Sequence, residues 1–294
     1  MFLRRKKQEA LTGYLFILFS FTFILIFFVG PIIFGFVMSF YRWLLGRASV
    51  YIGLENYFAL IRDPLFWLSV WHTVEYTLIY VPGTVFFSLL AAVLVHSSLL
   101  RRREKRLFRF ILFIPVVASL VVAGIMWKWL YHGDFGFINY LLSEFGFEKV
   151  NWLGDKKTVI PAIAIVSIWK NYGYYMVIYL AGLVGIPEQY YEVARIDGAT
   201  RVQQFIYITL PLLKRISLLV VVLSTILAFQ AFDWIFVMTN AGGPAYAGYT
   251  IDYLVYVTGL NDFRMGYASS IAFVLFLIIL FVSFLEISLE ERGE

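Results

Sequence analysis

"EVARIDGATRVQQFIYITLPLLK", residues 192–214, is charged and amphipathic, yet it lies between two long apolar runs. The preceding residues are "GIPEQYY", and Pro187 suits the first position of a helix, where a missing N–H costs nothing. Glu188 falls in the first turn and Arg195 near the last, each at the helix end whose partial charge it complements. Gly198 suits the left-handed residue that closes a helix. Thr200 and Gln203 have capping-box spacing for a second helix. Pro211 interrupts the run before the next apolar stretch. The segment is therefore predicted as helix, glycine turn, helix. A hairpin lying on lipid headgroups has the same periodicity. The polar side, however, mixes Glu188, Glu192 and Asp197 with Arg195 and Arg201, and mixed sign suits a protein partner better than an anionic surface.

The flanking runs set the class. Of 294 residues, 61% are hydrophobic and 15% charged, against about 25% charged in a soluble domain. A bilayer core needs about 20 mostly apolar residues as helix. The chain is predicted as all-α, a single transmembrane domain over 1–294 with six spans. They cover about 14–40, 69–98, 107–130, 158–185, 216–239 and 265–287, with the hairpin loop at 187–212 between the fourth and fifth. The opening "MFLRRKKQ" looks like the basic start of a signal peptide, but the apolar run after it is too long and lacks a small-residue cleavage site. It is expected to remain as the first span.

Lys and Arg set the orientation. Fifteen of them fall at the N-terminus, in "RRREKRLFR", in the hairpin loop and at Arg292. Eight fall in the opposite loops: Arg42, Arg47, Arg62, Lys128, Lys149, Lys156, Lys157 and Arg264. Both termini and the hairpin are therefore expected in the cytoplasm. The net charge of +5 fits loops held against anionic lipid rather than nucleic acid. Among the outer loops, "GLENYFALIRDPLFW" is expected to form a short amphipathic helix. The aromatic- and Gly-rich segment at 131–157 is expected to pack on itself, and "TNAGGPAYAGYT" carries turn chemistry.

Several chemistries are excluded. Without Cys there are no disulfides, thiolate metal sites or thiol nucleophiles. His72, His96 and His132 are too far apart for a local metal motif. No G-x-x-x-x-G-K-[ST] loop is present, so the chain does not bind ATP in that way. Glu144 and Glu148 are helix neighbours by spacing, and nothing nearby suggests a substrate. The chain is not expected to be an enzyme, to hold a metal or to bind a cofactor.

Polar residues within spans are costly and face a cavity or another helix. Ser167, Lys170, Asn171 and Tyr174 in the fourth span, with Ser224, Gln230 and Asp233 in the fifth, form the candidate substrate cavity. Hydrogen-bonding side chains among aromatic rings suit a sugar, although Tyr and Trp also serve as interface anchors. Lys170 and Asp233 are candidates to pair across the two helices.

Glu192, Ala194, Asp197, Gly198 and Ala199, followed by Phe205, Ile208, Leu210 and Pro211, resemble the EAA loop of binding-protein-dependent ABC importer permeases. "FRFILFIPVVASLVVAGIMWKWLY", "WKNYGYYMVIYLAGLVGIPEQYYEVARIDGA" and "MGYASSIAFVLFLIIL" extend the similarity over nearly the whole chain. It points to the carbohydrate-uptake permeases of the maltose and glycerol-3-phosphate type. Val193 stands where that family has Ala, and "TNAGGP" is one residue longer than its usual turn.

The resemblance implies a permease subunit of an ATP-driven importer for a sugar or oligosaccharide, working by alternating access in a prokaryotic plasma membrane. Glu192, Ala194, Asp197, Gly198, Ala199 and Pro211 would couple it to two cytoplasmic ATPases, which use ATP and Mg. A second homologous permease and an extracytoplasmic solute-binding protein would complete it. The competing reading is an ion-coupled secondary transporter of a small polar solute, which typically shows internal repeats. No repeat is visible here, and only Lys170 and Asp233 are candidate deep charges.

Overall fold

A computed structural model describes residues 2–44, 46, 48–97, 100–239 and 242–291, without the side chains of 2–11, 15, 290 and 291. Arg47, Arg292 and the Asn-Ala pair of "TNAGGP" lie outside the described residues. In chain order come α1 (Phe2–Ile24), α2 (Gly30–Met38), β1 (Tyr41–Arg42), β2 (Val50–Tyr51), α3 (Glu55–Ile61), α4 (Pro64–His96), α5 (Arg102–Val117) and α6 (Leu120–Leu130). There follow α7 (Phe137–Glu144), α8 (Val159–Val184), α9 (Glu188–Ile196), α10 (Arg201–Gln204), α11 (Leu210–Leu212), α12 (Lys214–Phe229), α13 (Asp233–Met238), α14 (Ile251–Tyr256) and α15 (Met265–Glu291).

Among the described residues, three segments are long and apolar enough to cross a membrane: Thr12–Met38, Pro64–His96 and Met265–Leu289. Two bent helix pairs bring the number to five if each is one span. The segment expected at 107–130 is not straight. It turns by 94° between α5 and α6, at Ala118 and Ser119, whose ψ values of 140° and 135° are extended. Pro115 has already removed one hydrogen bond from the helix just before this point. The segment expected at 216–239 also breaks, over 230–232 between α12 and α13. The helix α8 within 158–185 is not among the candidate spans, because its Ser, Lys, Asn and Tyr residues lower its hydropathy.

The contacts divide the chain into two compact units. The first holds residues 1–63 and 254–274. In it, α1 passes into α2 through a wide five-residue turn at Leu25–Val29, where Gly30 N–H reaches back to Leu25 O. The wide turn places Pro31, which has no N–H to donate, at the start of α2. A small antiparallel pairing of β1 with β2 follows, with Tyr41 opposite Tyr51. Asn56 on α3 is buried and donates to Ser39 O (2.7 Å) and Tyr41 O (3.1 Å). Tyr267 donates to Asp63 at 2.8 Å.

The second unit holds residues 64–253 and 275–294. Helix α8 is central to it and packs on α4, α5 and α12. Tyr80, Tyr175, Tyr179 and Met176 are at most 1% exposed. Gly173 lets α5 approach, since a Cβ there would run into the Leu112 carbonyl. Between α6 and α8, Asn139 organises the chain. Its Nδ2 donates to Gly133 O (3.0 Å) and Val150 O (2.8 Å), while its Oδ1 accepts from Val150 N–H (3.1 Å) and Trp152 Nε1 (3.0 Å).

Candidate functional site

The hairpin after α8 is closed by backbone chemistry at both ends. Pro187 precedes α9 with ψ 130°, so it caps the helix from outside instead of occupying its first turn. At the other end Gly198 has φ +79°. Gly198 N–H donates to Arg195 O (3.2 Å) and Ala199 N–H to Ala194 O (2.8 Å). These two bonds form a Schellman closure. Thr200 then caps α10. Its N–H donates to Gln203 Oε1 (2.7 Å), and its hydroxyl accepts from Gln203 N–H (3.3 Å). Tyr191 and Thr209 hydroxyls, 2.9 Å apart, tie α9 to the return helix.

Pro211 does not break the return helix. A wide turn at Phe205–Thr209 absorbs its missing N–H, and the chain stays helical through Leu212. The 65° bend comes at Leu213, between 201–212 and α12. Ala194 and Ala199 are half-buried, while Glu192, Asp197 and Gly198 are exposed. The turn presents apolar side chains outward: Val193, Ile196 and Val202 are 58%, 84% and 66% exposed. The Arg195–Glu188 pair at 3.2 Å is exposed on both sides, so it adds at most about 1 kcal/mol.

The seven polar residues expected in a cavity divide by exposure. Ser167 and Ser224 are fully buried, and their hydroxyls donate to Ile163 O (3.0 Å) and Val221 O (3.0 Å) within their own helices. Lys170 is 8% exposed, and its Nζ donates to Val116 O at 2.8 Å. The expected Lys170–Asp233 pair is therefore replaced by a different contact. The bend after α5 frees carbonyls that continuing helix would have bonded, and the ammonium satisfies one of them. Asn171 Nδ2 donates to the Tyr80 hydroxyl at 2.9 Å, and Tyr80 stacks on Tyr76. Tyr174, Gln230 and Asp233 are exposed.

Gln230 and Asp233 flank the break between α12 and α13. Thr250 Oγ1 donates to Ala231 O within this break at 2.7 Å. The strand of chain carrying Thr250 is itself fastened to α4. His72 Nδ1 is 3.1 Å from Tyr249 O, and Ile251 N–H donates to the Thr73 hydroxyl at 2.9 Å. Asp252 follows directly. Burial, with a smaller contribution from the Asp233 carboxylate, pushes its carboxyl up to about 6. Sequence reasoning missed Thr250, Asp252 and the role of His72, because their partners lie far away in the chain. Glu286 lies within α15 and accepts from Thr225 Oγ1 at 2.8 Å.

No group of three or more His, Asp or Glu residues able to hold a metal ion occurs among the described residues.

Comparison with known proteins agrees over most of the chain. Residues 84–290 match the family described as binding-protein-dependent transport system inner membrane component. The arabinooligosaccharides transport system permease protein AraP of Bacillus subtilis is 35% identical over 273 residues, covering 92% of this chain and 86% of that protein. The trehalose/maltose transport system permease protein MalF of Thermococcus litoralis is 34% identical over 275 residues, covering 92% of both. The fold resembles a chain of the bacterial alginate ABC transporter crystallised with an alginate pentasaccharide-bound periplasmic protein (TM-score 0.84, 21% identity, 98% of this chain and 96% of that one). This chain belongs to the binding-protein-dependent transport system inner membrane component family.

Proposed function

We propose that the chain is the permease subunit of a sugar or oligosaccharide importer, driven by cytoplasmic ATPases that dock on the α9–α10 hairpin. Family membership displaces the ion-coupled secondary transporter weighed from the sequence. The observation that carries the coupling role is the apolar tip of Val193, Ile196 and Val202, exposed on a hairpin closed at both ends. Exposed apolar surface rimmed by polar residues marks a contact site. A turn fixed by its own hydrogen bonds passes a push into α12 without absorbing it. Glu192 beside this tip supplies a charge-assisted contact for a basic partner group. ATP and Mg belong to the ATPases.

The sugar reading rests on relatives named for arabinooligosaccharides and for trehalose and maltose. In this reading the pathway is shared with a second permease, and an extracytoplasmic binding protein delivers the solute. Gln230, Asp233 and Tyr174 face that pathway. Ser167, Lys170, Asn171 and Ser224 hold the helices behind it. Both termini and the hairpin lie in the cytoplasm, on the evidence of Lys and Arg placement.

Affinity purification in mild detergent, with a candidate sugar-importer ATPase co-expressed, tests the coupling role. Wild type is expected to retain the ATPase, and the folded Glu192→Ala/Gly198→Val variant to lose it. A folded variant that retains the ATPase, or a wild type that never holds one, rejects the hairpin as the docking site.

A further inference from the structure

The cytoplasmic-side reading of the hairpin does not account for an apolar groove between α4 and α5, nor for the cationic run beside it. The groove has a volume of about 470 Å³ and is lined by Phe87, Leu94, Val95, Phe108, Leu112 and Tyr172, among others. That size lies within the range of about 300–1,000 Å³ typical of small-molecule sites. Phe87, Leu94 and Phe108 are 49%, 54% and 43% exposed. Lys105, Phe108 and Leu112 are spaced by three and four residues, which aligns them on one face of α5, and Arg101 caps the start of that helix. The apolar residues line the groove, and its end at Ser97 and Leu100 adjoins the cationic run that begins at Arg101.

This end joins both helices. Lys105 Nζ donates to His96 O at the end of α4 (2.8 Å). Ser97 and Leu100 line the same end. Glu104, the one acid in "RRREKR", accepts from the Arg101 backbone N–H at 2.6 Å. Arg101, Arg102, Arg103, Arg106 and Arg109 are exposed, and none is in a salt bridge among the described residues.

We propose that the groove holds an acyl chain of an anionic phospholipid whose phosphate sits on Arg101, Lys105 and Arg109. A neutral lipid would fill the apolar wall but leave the cations without a counter-charge. A second copy of this chain is a poor occupant, because its amino-terminal run "MFLRRKKQ" brings four more cations. Basic pockets between spans at a membrane face recognise anionic headgroups, at about fivefold in affinity for each cation engaged. The site goes beyond the transport reading, and its test does not depend on the sugar.

The test is native mass spectrometry of the purified full chain, titrated with phosphatidylglycerol or phosphatidylcholine of identical acyl chains. Wild type is expected to prefer phosphatidylglycerol at least tenfold. Arg101→Gln/Lys105→Gln/Arg109→Gln should reduce that preference to within about twofold, and Leu94→Trp should weaken both lipids by filling the groove. If the triple variant does not fold, Arg101→Gln alone should lower the preference about fivefold. Equal binding of the two lipids by wild type overturns the proposal, as does an unchanged preference in the charge variants. So does a photoreactive group on Leu94→Cys that captures a protein chain instead of lipid in the assembled importer.

Discussion

At Gly198 the structure isolates one physical cause. Its φ is +79°, yet a Cβ placed there meets nothing within 4 Å. A substitution is therefore penalised by backbone conformation alone. Gly198→Val should cost about 1–2 kcal/mol, and Gly198→Asn much less, because Asn tolerates the left-handed region. Denaturation midpoints of the two variants measure the difference, and equal losses would mean that the turn does not hold this conformation in the folded protein. This residue was legible from the sequence, as were Thr200 and Gln203, because a helix end is written in neighbouring positions. Lys170 was not. Sequence offers only Asp233 as an opposite charge, whereas the actual acceptor, Val116 O, exists because a helix breaks 54 residues earlier. Lys170→Met should leave that carbonyl unpaired and cost about 1–3 kcal/mol. Asp233→Asn should change stability by less than about 0.5 kcal/mol. Equal destabilisation by both, with a coupled double variant, would restore the ion pair.

Among the elements, the helices were easier to read than their interruptions. Apolar runs announced α4 and α15, and the charged stretch between α8 and α12 announced the hairpin. The bend after α5 was hidden because apolar residues flank Ala118 and Ser119, and the gap between α12 and α13 because Gln230 and Asp233 read as polar positions within one continuous span. Irregular backbone at membrane depth persists only where protein or a cavity meets its polar groups. Here Lys170 serves one break and Thr250 the other. The second break carries a pH dependence through Asp252. Its folded pKa of about 6 lies above the ordinary 3.8. Above pH 6 the carboxylate is ionised in both states, and its burial costs stability. Between those two values the folded protein keeps a proton that the unfolded chain has lost, so stability rises as pH falls from 7 towards 4. The gain should approach 2–3 kcal/mol, since each pH unit between the two values contributes about 1.4 kcal/mol. Unfolding midpoints at pH 7.5 and 4.0 should show this gain in wild type and lose it in Asp252→Asn. An Asp252→Asn variant with the same pH slope as wild type would assign the effect to another group.

For the molecule as a whole, the decisive feature is that its polar candidates divide by exposure. Ser167, Lys170 and Ser224 are buried and bonded, whereas Gln230, Asp233 and Tyr174 are open. A carboxylate and an amide facing lipid beside a helix break would be expensive. A family whose members work as membrane components of binding-protein-dependent systems offers another exposure, to a pathway shared with a second chain. The two environments predict opposite results for one substitution. If Gln230 and Asp233 face lipid, Gln230→Leu/Asp233→Leu should stabilise the subunit and leave transport intact. If they face the pathway, stability should change by less than about 1 kcal/mol. Transport should then fall at least tenfold, because the hydrogen bonds that orient a hydroxyl-rich solute are gone. Uptake of candidate oligosaccharides by the reconstituted importer, measured beside the unfolding midpoint of the same preparation, separates them. The expected result is lost uptake in a protein that unfolds where wild type does. A stabilised variant with full uptake would place these residues against lipid and move the pathway to another face of the chain.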